Sequence, residues 1–431
     1  MTFSGTILMG AQARLLDPTI PYRYFAAALG FHVLLWGLIA IFPGDVAVFA
    51  GGPGPALAAL HSLTLGVLTM TAMGASLQML PVATGIPLRS TRSARVVSWF
   101  FIPGTVILIW GMAESEHIAM ALGGFGVTIG LVVFLVLITE VLWRARAFKP
   151  LARFGLTAMS ALVLALALGL VLIMDNDHGF LDDRIAVISI HVIFAGFGFM
   201  GMLALGFSHL LIPLFALSEG VPTGESGAAF AFSMLGLAAG IVGIYYGLPV
   251  LAAAGALAGL FAAALHVRAM RRCLANGMRK NLGVAGKLMR VGWGFLILGL
   301  ITALLTATGF GGTHGPRLFV FFALFGWLLT FLLGVLQRII PFLGSMNAAR
   351  AGASAPRPSE LAPDNLLNAQ ALLHALALIL TGAGIAMEAA LPVRAGGIVG
   401  LLGAMIYAVF AFRVWWMIHG RPRATIKKER P

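Results

Sequence analysis

The chain has little of what polar chemistry uses. Only 10% of its 431 residues are charged, with 15 acidic side chains against 28 Lys and Arg, and it has one cysteine, Cys273. A single cysteine excludes a disulfide framework or a thiolate metal cluster within one chain. No acidic residue falls in the middle of an apolar run, which leaves no basis for a carboxylate-based proton pump. Long polar stretches are missing too, so the loops have no room for a soluble domain. The first residues, up to about Ile20, are too polar for a cleavable secretory signal.

What is present is apolar. Hydrophobic residues make up 60% of the chain, and mean hydropathy is +0.99. No soluble domain of this size keeps that much apolar surface dry. Runs of about 20 apolar residues span a bilayer as helices. Twelve such runs lie at roughly 24–43, 56–80, 96–112, 119–143, 153–174, 185–217, 228–246, 248–270, 288–310, 316–344, 366–390 and 395–418. They are continuous rather than alternating, which selects helices over barrel strands. The expected fold class is an all-α polytopic membrane protein, one integral membrane domain over 1–431.

The charge has a side. All but three of the 28 Lys and Arg fall in the N-terminal segment, the even-to-odd loops, the end of the tenth run and the tail. The exceptions are Arg184, Arg317 and Arg394. This positive-inside pattern predicts a multi-pass protein of a bacterial-type inner membrane with both termini cytoplasmic. The net charge of +13 is then set against anionic lipid and not nucleic acid.

Three runs share one spacing: Gly66, Gly74, Pro81; Gly198, Gly206, Pro213; Gly326, Gly334, Pro341. A long and nearly constant period predicts one unit built three times, as four-helix arcs over about 24–143, 153–270 and 288–418. Small residues two turns apart let backbones approach closely in lipid, so three inner helices are expected to pack at their Gly surfaces inside nine outer ones. Each Pro is expected to end or kink its helix. The Ala-, Ser- and Pro-rich stretch 345–365 reads as a flexible cytoplasmic linker.

Two of the repeated helices carry a buried histidine near the same end, His61 and His191. Ionisable groups inside a membrane are costly and usually partnered, and neutral imidazole is a common metal and haem ligand. The plain alternative is a ring hydrogen-bonded to a neighbouring carbonyl. His32 and His374 are also intramembrane and could serve a second haem, a proton path or an interhelical hydrogen bond. His314 precedes the tenth run at the outer surface and is an alternative, lesser ligand candidate. Gln78, His209, Gln337 and Arg338 sit three to four residues before their Pro, placed to satisfy carbonyls freed by it or to line a polar path. The stretch 175–184, DNDHGFLDDR, reads as a solvated loop whose spacing fits no calcium loop. His117, His266 and His419 read as interfacial, and Glu140 and Glu388 as snorkelling helix-end acids.

These three segments, with the text FGWLLTFLLGVLQRIIP in the last, resemble the central helices of subunit I of the haem-copper oxidase superfamily, especially its C-type oxidase and nitric oxide reductase branches. They also resemble NnrS, a haem- and copper-containing membrane protein linked to nitric oxide metabolism. The resemblance is periodic and topological over nearly the whole chain. It implies twelve helices in three arcs. His61 stands twenty residues before its Pro and His191 twenty-two before its own, the two slots that hold haem ligands on helix ten of the family. Here the same slots on helix ten are Phe321 and Phe319, and the seventh run reads AFAFSMLGL where the family has an adjacent His pair. The ligand set for oxygen reduction at a haem-copper centre is therefore missing, and catalysis of that kind is not expected. Rotating the family's arrangement by one repeat instead pairs His61 with His191 as axial ligands of a b-type haem. The resemblance further implies propionate partners, for which Arg394, Arg317 and Arg184 are the candidates. Copper is the lesser cofactor expectation. Implied partners are a cytochrome, a quinol, a partner membrane subunit or a diatomic gas. The competing expectation is a transporter, or a factor delivering haem or copper to a partner oxidase.

Overall fold

The computed structural model describes residues 14–350 and 356–419, whose regular structure is all helical. Twelve helices are long and apolar enough to cross a membrane. They are α1 (Thr19–Ile41), α2 (Pro55–Thr84), α3 (Thr91–Glu114), α4 (His117–Arg144), α5 (Lys149–His178), α6 (Arg184–Ala216), α7 (Thr223–Tyr245), α8 (Pro249–Asn276), α9 (Gly283–Ala307), α10 (Gly315–Arg350), α11 (Asp364–Ala386) and α12 (Ala390–His419). Most run a few residues past the apolar stretch that encodes them. A helix satisfies its own backbone, so it continues until a cap or a Pro stops it.

The last two helices of each arc form a tight hairpin, and glycine makes it tight. A Cβ at Gly104 would sit 2.7 Å from the Val127 nitrogen, one at Gly255 2.5 Å from the Gly240 nitrogen, and one at Gly384 2.8 Å from the Val393 nitrogen. The arcs then join in a ring. Helix α4 packs on α5, α8 on α9, and α12 returns to α1.

The inner helices α2, α6 and α10 do not meet at their Gly surfaces. Each Gly pair faces the first helix of its own arc. Gly66 and Gly74 lie against Phe31 and Tyr24 of α1, Gly198 and Gly206 against Ala161 and Phe154 of α5, and Gly326 and Gly334 against Phe295 and Leu288 of α9. The contact residues on α1, α5 and α9 are themselves seven apart, two helical turns. The expectation of a Gly-sealed inner trio is therefore corrected. Small residues fasten each inner helix outward, and the space between inner helices is left to other side chains.

Each inner helix also widens into a π-helical stretch at the same place in its repeat: Ser62–Thr69, Ile193–Gly201 and Phe322–Leu329. All three begin within two residues of a His61, His191 or Phe321 position. Such stretches leave carbonyls short of partners and often mark functional sites. Thr330 answers one of them, its hydroxyl donating to the Phe325 carbonyl at 3.1 Å.

Pro81, Pro213 and Pro341 all lie inside helices. The first two helices end one turn later, at left-handed caps Gly85 and Leu217 whose N–H groups bond the Pro carbonyls. The third does not end there. Helix α10 runs to Arg350, so the linker expected over 345–365 starts later. Residues 351–355 lie outside the described residues, and Leu361 is fully buried just before α11. Arg350 is drawn in because its guanidinium donates to the carbonyls of Leu15 and Leu16 at 2.9 and 3.0 Å. The chain leading into α1 thus covers the inner ends of α2 and α10, where Gln78 also accepts from the Leu16 N–H at 3.3 Å.

Candidate functional site

Helix α10 touches both α2 and α6 through the π segments. Helices α2 and α6 do not pack on one another in this way, and a cavity of about 790 Å³ opens around them. Its walls come from all three arcs and are mainly Leu, Ile, Phe, Ala and Gly. Binding cavities for sizeable organic ligands run to about 300–1,000 Å³, mostly apolar with a few placed polar groups. Here those groups include His61, His191, Asn176, Arg184 and Arg317.

His61 and His191 both line the cavity. Each ring is held by one nitrogen. His61 Nδ1 bonds the Leu57 carbonyl at 3.1 Å, and His191 Nδ1 bonds the Ala165 carbonyl at 2.9 Å. A carbonyl only accepts, so each Nδ1 carries the proton and each Nε2 keeps a free lone pair. A ligating histidine is normally oriented by just such a bond from its other nitrogen to a carbonyl. Gly169 on α5 gives the His191 ring its place: a Cβ there would stand 3.3 Å from Cε1. The plain alternative, a ring bonded to a carbonyl, is thus present in both, and it leaves the second nitrogen unused.

The corresponding positions of the third repeat are closed by aromatic rings. Phe319 stacks on Phe197 with centroids 5.5 Å apart and planes 1° apart, and Phe321 stacks on Phe325 at 5.3 Å. Both line the cavity, so repeat three supplies a wall where repeats one and two supply imidazole.

Two of the three contrary arginines reach the cavity. Arg184 donates to Asp175 and to Asn176. Arg317 donates to the Phe49 carbonyl at 3.1 Å and to Glu388 at 2.5 Å. Arg394 does not line it. It is not a loop residue, since α12 already begins at Ala390, and it is exposed, so its candidacy as a cavity cation is corrected. The stretch 175–184 is only partly a loop. Helix α5 runs to His178, and buried Asp175 also accepts from the Leu181 N–H at 2.8 Å.

The other histidines sort by their partners. His32 Nε2 accepts from the Trp36 indole at 3.2 Å, and His374 Nε2 shares a 2.8 Å hydrogen bond with Thr330. The space beside His32 is about 20 Å³, too small for a second haem, and neither histidine lines the large cavity. His314 caps the start of α10, pairs with Glu388 at 3.5 Å and does not line the cavity. Of the groups near the inner prolines, Gln337 donates to Gln370 at 3.0 Å, while neither nitrogen of His209 has a partner. Freed Pro carbonyls are not their targets. His266, expected at the interface, is fully buried. The described residues hold no group of three or more His, Cys, Asp or Glu placed for a metal ion.

In comparisons with known proteins, no family model and no curated protein matches this chain.

Proposed function

We propose that this chain is a haem-binding membrane protein of respiratory or nitric oxide metabolism, with His61 and His191 as the two axial ligands of one b-type haem. The observation that carries the reading is the matched pair of imidazoles. Both spend Nδ1–H on a carbonyl, and both leave Nε2 unused at the wall of one large apolar cavity.

The residues present fit the group. The walls are mainly apolar, as a macrocycle needs. Arg184 and Arg317 stand at the cavity end where anionic propionates need cations, already steadied by Asp175 and Glu388. When bound, the haem supplies a one-electron iron couple whose potential is set by its axial ligands and surroundings. His61 and His191 would together hold the haem iron, an arrangement that would favour electron transfer over binding of a diatomic gas. The charge bias supports an inner-membrane placement with both termini cytoplasmic, which puts the His61–His191 level towards the outer side.

The test is an optical spectrum of the purified protein, oxidised and then reduced, with a pyridine haemochrome assay for stoichiometry. One haem per chain with a low-spin spectrum supports the reading. A colourless protein after expression with ample haem removes it and returns the transport or delivery alternative.

A further inference from the structure

A second histidine pair lies elsewhere, and nothing in the haem reading uses it. His209 is on α6, about 27 Å beyond His191 at the usual rise per residue. His266 is on α8, and neither lines the large cavity. The two rings meet at 5.5 Å between centroids with planes 80° apart. His209 is 7% exposed and His266 is fully buried, and all four ring nitrogens lack a hydrogen-bond partner among the described residues. Aromatic rings enclose the pair, with Phe154 stacked on His209 at 5.7 Å and Trp293 edge-on to His266 at 6.4 Å.

Four unpaired nitrogens in such a setting are costly. Burying a polar group without a partner costs about 1–3 kcal/mol on mutational scales, and two imidazoles cannot both be satisfied by one bond to each other. A ligand between them resolves this. Metal–nitrogen bonds of about 2 Å place two imidazole centres about 6 Å apart across one ion, close to the spacing seen. The surroundings also select the ion. No carboxylate or thiolate joins the pair, since no three His, Cys, Asp or Glu among the described residues are grouped for a metal ion. Zinc in structural sites takes four ligands, usually with anionic ones among them. A buried divalent charge held by two neutral rings would go largely uncompensated. A soft monovalent ion suits two neutral nitrogens, and a thioether is to hand. Met270 follows His266 by one turn on the same face of α8 and is fully buried. Thioether and imidazole together favour Cu(I).

We infer that His209 and His266 form a buried low-coordinate site for a soft monovalent metal ion, Cu(I), with Met270 as its neighbouring soft ligand. The site joins α6 to α8 of the second arc. It is separate from the large cavity, and it does not use the seventh-helix text AFAFSMLGL, where oxidases place copper ligands. It does not depend on haem binding.

The test is an anaerobic Cu(I) titration of the purified full-length protein against bicinchoninate, a chromogenic Cu(I) chelator. The His61→Ala/His191→Ala double variant serves as control for uptake by the cavity imidazoles. One Cu(I) per chain is expected in both proteins. His209→Leu and His266→Leu should each weaken binding by at least the roughly 10–100-fold typical of losing a supporting group at a metal site. Met270→Leu, which conserves volume, should weaken it less. X-ray absorption at the copper edge of the wild-type protein should show imidazole scattering at low coordination number, a readout that needs no variant to fold. No Cu(I) retained against the chelator, binding unchanged in both His variants, or a copper edge without imidazole scattering would overturn the site.

Discussion

Two sectors of the ring each hold a pair of buried histidines, and they differ in one nitrogen. In the sector around α1, α10, α11 and α12, His32 and His374 spend Nε2 on Trp36 and Thr330, and His32 stands beside a void of only about 20 Å³. In the sector around α2, α5 and α6, His61 and His191 spend Nδ1 on carbonyls and keep Nε2, beside a cavity of about 790 Å³. Both pairs lie within apolar spans, but His32 and His374 are buried in α-helix while His61 and His191 are half-buried beside π-helical stretches. What separates a packing histidine from a candidate ligand is which nitrogen is engaged and whether space lies beside the other.

The largest expected effect follows directly. His61→Ala or His191→Ala should each remove most of the bound haem, on the order of the 10–100-fold or more lost when metal-site groups are deleted. His32→Ala and His374→Ala should keep it near one per chain while costing stability, about 1–3 kcal/mol for the stranded buried partner. Haemochrome assays of the four variants, with thermal unfolding in detergent, separate the two sectors. Equal haem loss from all four would erase the distinction.

A smaller effect is expected from the floor of the site. Gly169→Leu puts side-chain atoms where the His191 ring now stands, only 3.3 Å from a first carbon. It should shift the low-spin spectrum and lower haem occupancy severalfold with both histidines still in the sequence. A similar overpacking at Gly384, which does not line the cavity and whose Cβ would stand 2.8 Å from the Val393 nitrogen of α12, should leave the spectrum alone. Gly384→Ala should instead destabilise the α11–α12 hairpin by about 1–3 kcal/mol, the usual cost of overpacking, read as a lower unfolding midpoint.

The smallest expected effect is acid sensitivity at the cavity rim. The hydrogen bond and charge of Arg317 hold the Glu388 carboxyl below its ordinary value. A group depressed in the folded state contributes stability that is present above its ordinary pKa and lost as pH falls through its folded one. Stability should therefore decline on the acid side of the ordinary glutamate range, and Glu388→Gln should flatten that limb. Glu388 is about half exposed, so the change is small. An unchanged acid limb in the variant would show that the pair contributes nothing.

Much of this molecule is legible as text. The twelve spans and the threefold Gly–Gly–Pro period follow from hydrophobic runs and spacing, whereas the pairing of His61 with His191 rests on the family resemblance and not on the residues alone. Partners across space are not legible. The Gly period gives no direction, and here it points outward to α1, α5 and α9. Arg394 and Asp175 change role because helices begin or continue past polar residues that hydropathy assigns to loops. His266 reads as interfacial when α8 is ended at the last apolar residue. Carried on to Asn276, the helix puts Ala262, His266, Met270 and Cys273 on one buried face. The π stretches leave no sequence signal beyond their fixed distance from each Pro.

The most direct test of the central claim is low-temperature electron paramagnetic resonance of the oxidised, haem-loaded protein and of its two single variants, His61→Ala and His191→Ala. If both imidazoles hold one iron, the wild type gives a low-spin ferric signal alone. Whatever haem each variant retains then turns high-spin, with one axial position open. A low-spin signal that survives at full strength in either variant would contradict the account, because that histidine would not be a ligand.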